Sequence, residues 1–312
     1  MEVQRMHPLF AAMLTGADAS NPSNRELIDL VEDLMREYAV LCIRGQGHID
    51  DEQHLAFARA FGPLELPNRM PAPAGKPPRI AYGLYAATNL DENGEIIDPN
   101  SLRAKFAKGN ELFHADSSFN DMPSKWSMLR GVTIPPEKGD THFIDMRAVY
   151  DALPQAMKDK VADLKAEHSY AHSRRKGGAP AKDDTPAYEY MRAVHPMVRQ
   201  SASGRPTLFV GAHTARVIGL EEEESAALIE ELLAFAAQPQ FIYAHKWQQG
   251  DIVIWDNRCT LHRGTEYDYV RYKRDMRRAN VNEYGEERSA VPEELSRAHF
   301  AQLTKADTAP AN

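Results

Sequence analysis

The chain has 312 residues, 43% hydrophobic and 26% charged. That is enough apolar material for one large or two small folded domains. Its formal charge of −8 provides no basic field for a phosphate backbone, which counts against nucleic acid as a partner. No run approaches the roughly 20 apolar residues of a membrane helix, and Met1-Glu2-Val3-Gln4-Arg5 lacks the basic-then-apolar layout of a signal peptide, so a cytoplasmic protein without a membrane partner is expected. Two cysteines, Cys42 and Cys259, lie in apolar strand-like runs where buried free thiols are expected. The histidine count, 12, directs any metal or acid–base chemistry to imidazole and carboxylate rather than sulfur.

In chain order, Ser23-Asn24-Arg25-Glu26 has capping-box spacing, and Leu27, Leu30, Val31, Leu34 and Tyr38 follow at helical period. The apolar run 39–43 is a predicted strand. Residues 50–61 form a second predicted helix, stopped by Gly62-Pro63. From 66 to 110 prolines punctuate short apolar runs, as expected of a lid or binding loop, and a second mobile loop is expected at 174–190. Strand signals follow at 112–113, 127–134, 141–144, 207–210, 241–243, 251–255 and 274–282, bounded by Gly, Pro or Asp. Helices are expected at 147–153, 154–164 and 221–237, the last led by four glutamates suited to the positive end of a helix dipole. The tail 304–312 reads as disordered. Many short strands with peripheral helices predict a mainly β fold, a β-sandwich or jelly roll, and no Gly-rich phosphate fingerprint of a dinucleotide fold is present.

A non-heme iron site needs two imidazoles and one carboxylate on one face of the metal. His-x-Asp on a strand supplies two of them, since residues two apart project to the same side. With 12 histidines and 45 acids in 312 residues, about 1.7 such matches arise by chance, and the chain contains two. In His48-Ile49-Asp50 the aspartate stands where a helix cap is needed. His114-Ala115-Asp116 has no helix signal nearby and is the candidate pair. His262, beyond the strand 252–255 and the turn Asp256-Asn257-Arg258, is the candidate third ligand, with His213 and His195 as its nearest competitors. A carboxylate-bearing cosubstrate needs a guanidinium. In Lys273-Arg274-Asp275-Met276-Arg277-Arg278-Ala279-Asn280, strand alternation puts Arg274, Met276, Arg278 and Asn280 on one face and Arg277 on the other. The strand face, not the spacing, selects Arg278 over Arg277. The alternative is an exposed, basic edge strand.

Taken together, His114-x-Asp116, Gly139-Asp140-Thr141, Trp255-Asp256-Asn257-Arg258, His262 and Arg274…Arg278 resemble the TauD/TfdA family of Fe(II)- and 2-oxoglutarate-dependent dioxygenases. The resemblance runs from His7-Pro8-Leu9-Phe10 to Asn282 and is closest to the TfdA branch through His114-Ala115-Asp116-Ser117-Ser118-Phe119, Asp145-Met146-Arg147-Ala148 and Tyr150-Asp151-Ala152-Leu153-Pro154. It implies a single double-stranded β-helix domain (jelly roll, cupin-like) over residues 1–312. It also implies Fe(II) held by His114, Asp116 and His262, with 2-oxoglutarate and O2 consumed and succinate and CO2 released as a small organic acid is hydroxylated or cleaved. Arg278, assisted by Thr141, would receive the distal carboxylate of 2-oxoglutarate, with Arg274 beside cosubstrate or substrate. Asn110, Ser118, Arg69, Tyr82 and Tyr85 would line the substrate pocket, and Trp255 would pack beneath the site. The herbicide-cleaving branch supplies lysines from the lid, where this chain has Arg69 and the acids Asp91, Glu92 and Glu95. Other readings are an N-substituted amino acid or sulfonate as substrate, or a cosubstrate-sensing metal-binding protein without turnover. A homodimer or homotetramer is suggested by resemblance alone.

Overall fold

The structure, a computed structural model, describes residues 1–67, 78–178 and 191–289. Arg69, residues 179–190 of the expected second loop and the tail 304–312 lie outside the described residues.

The strands are β1 (Glu2–Arg5), β2 (Ala12–Thr15), β3 (Val40–Ile43), β4 (Leu64–Leu66), β5 (Tyr85–Thr88), β6 (Trp126–Thr133), β7 (Thr141–Asp145), β8 (Lys165–Ser169), β9 (Arg192–Pro196), β10 (Val198–Gln200), β11 (Pro206–Leu208), β12 (Thr214–Val217), β13 (Ile242–His245), β14 (Ile252–Asp256), β15 (Thr260–Gly264), β16 (Asp275–Val281) and β17 (Arg288–Ser289). The large sheet has the order β1-β2-β3-β14-β6-β16-β4-β17, and β5 shares with β4 the far edge of β16. A smaller sheet, β13-β7-β15, is extended by an isolated bridge between His114 and His262. β12-β8-β9 and the ribbon β10-β11 complete the described strands.

Alternation sorts the central strands into two faces. Leu41 and Ile43 of β3, Ile252 and Ile254 of β14, Met128 of β6 and Val281 of β16 join one core, covered by the helices Arg25–Tyr38 and Asp51–Arg59. Val40, Cys42, Val253, Trp255, Leu129 and Met276 point the other way and pack with Phe143 and Tyr243 of the small sheet. The outer face of the small sheet is covered by the helix Glu222–Ala236 through Leu228, Ile229 and Leu232, packed with Ile144 and Leu261. Helices thus lie outside two facing sheets, and the inner layer between them is where the candidate residues converge.

Most expected elements form close to their predicted limits; five expectations need correction. The first helix is capped by Asn24, one residue after the expected Ser23, because the Asn24 side chain accepts from the Leu27 amide. Residues 112–113 are not a strand: a 3₁₀ turn, Lys108–Glu111, leads directly to the bridge at His114. The described part of 66–110 is more than a lid, since β5 pairs with β16 and a helix forms at Leu102–Ala107. The start of the expected second loop belongs to a helix, Tyr170–Lys176. β16 is not an edge strand either, because β6 pairs along one side and β4 and β5 along the other. Both cysteines are free and buried, as expected.

Candidate metal and carboxylate site

His262 sits in β15 and His114 opposite it, each donating its backbone N–H to the other's carbonyl at 2.9 and 3.0 Å. This pairing sets the imidazoles side by side, ring centroids 4.2 Å apart. Asp116 starts the turn after His114 rather than continuing a strand. Its carboxylate nevertheless lies 3.9 Å from His114 Nε2 and 3.7 Å from His262 Nε2. One ligand atom from each residue falls within 4.8 Å of the others, and all three side chains are buried.

The donor set fits a divalent metal by protonation state as well as by position. Nδ1 of His114 is 2.7 Å from the Leu112 carbonyl, an arrangement that puts the hydrogen on Nδ1 and leaves the Nε2 lone pair facing Asp116. Burial lowers His114 to about 4 and, with the neighbouring His114, pushes His262 well below the usual imidazole range. Burial alone would raise Asp116, but the Arg278 guanidinium holds it well below the usual carboxylate range. Neutral imidazoles and an ionised carboxylate are the metal-binding forms.

The surrounding polar contacts fix Asp116 from behind. Asn257 Oδ1 accepts from the Asp116 amide at 3.1 Å and from Trp255 Nε1 at 2.9 Å, while its Nδ2 donates to Ser127 Oγ. Ser127 Oγ donates to Asp116 Oδ2 at 2.8 Å. The Trp255-Asp256-Asn257-Arg258 segment therefore serves the site through its asparagine. Trp255 packs its ring 4.5 Å from that of His262, and Asp256 is consumed by Arg258.

The arginines divide as alternation predicts. Arg278 Nη1 donates to Asp116 Oδ1 at 2.6 Å, whereas Arg277 points to Asp51 and Asp275 on the opposite face. Arg274, four residues from Arg278, has no carboxylate within ion-pair distance among the described residues; its guanidinium lies 5.9 Å from the Tyr267 ring, and burial lowers its pKa. A Cβ on Gly139 would lie 3.6 Å from Tyr267, so Tyr267 brackets the Gly139-Asp140-Thr141 turn and Arg274 together. Thr141 Oγ1 accepts from Trp247 Nε1 at 3.0 Å.

The other expected pocket residues are dispersed. Tyr85 lies under Arg278, its ring centroid 5.2 Å from the guanidinium carbon. Ser118 is buried within the turn after Asp116. Tyr82 is 43% exposed. Asn110 accepts from Arg174 Nη1 at 3.0 Å, so its side chain is engaged with the helix Tyr170–Lys176. The lid acids turn away: Asp91 accepts from the amides of Asn93 and Glu95, and Glu95 pairs with Lys273. His213 stands edge-on to His114 at 5.6 Å, with Phe119 and Tyr170 against it, and His195 bonds the Asn120 carbonyl.

A second triad, Cys42, His245 and Asp251, also has metal-like spacing. There Asp251 already accepts from Arg44 Nε and Nη2, both at 3.0 Å, and from the Gln248 amide, with His245 Nε2 at 3.1 Å. It is a closed hydrogen-bond network.

The family model described as "Taurine catabolism dioxygenase TauD, TfdA family" matches residues 2–280. The chain belongs to the TauD/TfdA family. It is a 2-oxoglutarate-dependent dioxygenase that uses Fe(II) and O2, which sets aside the reading as a protein without turnover. Family members similar to it include the alpha-ketoglutarate-dependent 2,4-dichlorophenoxyacetate dioxygenase of Cupriavidus pinatubonensis, 40% identical over 88% of this chain and 96% of the relative. The (S)-phenoxypropionate/alpha-ketoglutarate-dioxygenase of Sphingobium herbicidovorans is 34% identical over 86% of this chain and 90% of the relative. Among solved TauD/TfdA-like structures, AAD-2 in complex with Mn(II) and N-oxalylglycine superposes with a TM-score of 0.82 at 35% identity, covering 90% of this chain and 97% of that one.

Sequence reasoning did not find Ser127 or Asn257's hold on Asp116. Ser127 was accessible in principle, as a polar residue within an otherwise apolar strand.

Proposed function

We propose that His114, Asp116 and His262 hold Fe(II), that Arg274 with Thr141 receives the distal carboxylate of 2-oxoglutarate, and that Arg278 receives the carboxylate of a small organic acid substrate. The observation that carries this reading is the position of Arg278: a guanidinium on the metal-side carboxylate is placed to hold an acid with its neighbouring carbon beside the metal. Arg274 supports the second half, because a half-buried cation with no carboxylate partner among the described residues is costly unless an anion arrives. This reverses the division expected from the sequence, which gave Arg278 to the cosubstrate. Arg278 is engaged at Asp116, while Arg274 shares Tyr267 with the Thr141 turn.

Bound there, iron supplies oxidative decarboxylation of 2-oxoglutarate coupled to oxygen insertion at a C–H bond. The protein's residues orient the two acids, keep both imidazoles neutral and exclude water. Phe119, Tyr170 and His213 form an aromatic cluster beside His114, which favours an aryl-bearing acid, in keeping with the phenoxyalkanoate relatives, over an N-substituted amino acid or a sulfonate. Hydroxylation next to an ether oxygen gives a product that collapses with bond cleavage.

Anaerobic titration with Fe(II) and 2-oxoglutarate tests the assignment. A metal-to-ligand charge-transfer band is expected in wild type and in Arg278→Gln at ordinary 2-oxoglutarate concentrations, and only at much higher concentration in Arg274→Gln. The reverse pattern would restore the sequence-based division, and no band in wild type would sink the site.

The two facing sheets with a shared inner core support one jelly-roll domain for the chain. No helix among the described residues is long and apolar enough to cross a membrane, in keeping with work in the cytoplasm. A homodimer or homotetramer remains part of the proposal, checked by light scattering.

A further inference from the structure

Glu65 is 3% exposed and has no cation within ion-pair distance among the described residues. Five neutral groups donate to it instead. Oε1 accepts from Tyr85 Oη at 3.0 Å, Ser117 Oγ at 2.7 Å and Asn280 Nδ2 at 2.9 Å. Oε2 accepts from Asn120 Nδ2 at 3.3 Å and Ser124 Oγ at 3.2 Å. A carboxylate buried without a counter-ion is expensive, and this one draws on three segments that carry the site.

The first segment is the turn after Asp116. Ser117 has φ 56°, a left-handed conformation that a serine adopts only at a cost, and its hydroxyl is tied to Glu65. The second is β5, whose Tyr85 ring lies under the Arg278 guanidinium. The third is β16: register places Asn280 opposite Glu65, two residues from Arg278 on the same face. Asn280 Oδ1 in turn lies 3.0 Å from Ser127 Oγ, the hydroxyl that donates to Asp116.

We propose that Glu65 is a positioning residue for the substrate-acid subsite, holding Tyr85 against Arg278 and the Ser117 turn against Asp116. It is remote from the Arg274–Thr141 end, so its influence is directional. The inference rests on the acid-binding role proposed above for Arg278.

Glu65→Gln keeps the shape and breaks the chemistry. Each carboxylate oxygen receives one asparagine Nδ2, so the glutamine amide meets another N–H donor whichever way it is turned. With phenoxyacetate as probe and succinate release as readout, Glu65→Gln should raise the KM for phenoxyacetate about tenfold or more, while the KM for 2-oxoglutarate stays within about twofold. In a Co(II) titration of the metal-free protein, the same variant should bind about tenfold more weakly. Tyr85→Phe keeps the ring under Arg278 and loses only the bond to Glu65. It should raise the phenoxyacetate KM by a smaller factor and leave Co(II) affinity unchanged.

A folded Glu65→Gln with wild-type phenoxyacetate KM and Co(II) affinity would overturn the inference, as would equal rises in both KM values, which would mark general loosening. If Glu65→Gln does not fold, Tyr85→Phe decides, and an unchanged phenoxyacetate KM there overturns it. Wild-type protein that gives no phenoxyacetate-dependent succinate fails the earlier reading instead; the Co(II) titration of Glu65→Gln then decides the hold on Asp116 alone.

Discussion

His48-Ile49-Asp50 and His114-Ala115-Asp116 share one pattern and have opposite fates. The side chain of His48 is 51% exposed and bonds Asp18 at 2.9 Å. Asp50 caps the helix Asp51–Arg59, accepting from the Gln53 amide while Gln53 answers to the Asp50 backbone. In the second copy both side chains are buried, and His262, Arg278 and Ser127 arrive from other strands and Asn257 from the turn between β14 and β15 to meet them. The difference teaches that the motif supplies two donor groups at a useful spacing, and that what the chain folds across from them decides whether they gather into a site that could hold a metal or cap a helix.

Substitution at the ligands should break this comparison most sharply. His114→Ala or His262→Ala should abolish substrate-dependent succinate release, while His48→Ala leaves it at the wild-type rate; retained turnover in His114→Ala would remove it from the ligand set. The neighbouring arginines extend the same contrast to two residues on one strand. Arg278→Gln should raise the KM of the acid substrate about 100-fold, by analogy with truncating one partner of a buried charge pair. Arg277→Gln should leave that KM unchanged and cost about 1–3 kcal/mol of folding stability through the lost bonds to Asp51 and Asp275, measured by urea denaturation. Equal KM effects at the two positions would contradict the face assignment.

A buried histidine without a metal role separates burial from chemistry. Burial lowers His54 to about 3, whereas the unfolded chain protonates it near 6.5. Its stabilising contribution is therefore present above pH 6.5 and is lost as pH falls toward 3, because the unfolded state takes up the proton first. Between pH 7 and pH 5 this amounts to about 2 kcal/mol, and His54→Leu should flatten the acid limb of the stability profile by that much in denaturant melts. An unaltered acid limb would mean that His54 is protonated in the fold. The smallest effect belongs to the cap. Asp50→Ala should cost about 1 kcal/mol of stability and nothing in turnover once the protein is folded.

The contrast between legible and illegible features follows the range of the interactions. β3, β6, β7 and β14 could be read from short apolar runs bounded by turn residues, β16 from strand-like alternation, and the Asp50 cap from four consecutive residues. Arg278 was separated from Arg277 because neighbours on a strand must face opposite ways. Glu65 was not legible: an acid between Leu64 and Leu66 reads as a solvent-facing residue of a half-buried strand, and only the Ser117 turn, Tyr85 and Asn280 show that its side faces inward to other polar groups. The partner of Asn110 was illegible for a similar reason, since Arg174 comes from a helix that the sequence presented as loop. The roles proposed for Arg274 and Arg278 also depended on which one met a carboxylate across the sheet.

By itself the sequence determined the central strands and the long helices, the side to which each strand residue points, and which histidines, acids and arginines were available. Those are consequences of local backbone geometry and side-chain period. Only the tertiary structure decided which of them meet. A period of two fixes the side to which a residue points and says nothing of what stands opposite. The pairing of His114 with His262, Arg278 with Asp116 and Glu65 with its five donors was set by the register of strands far apart in the chain.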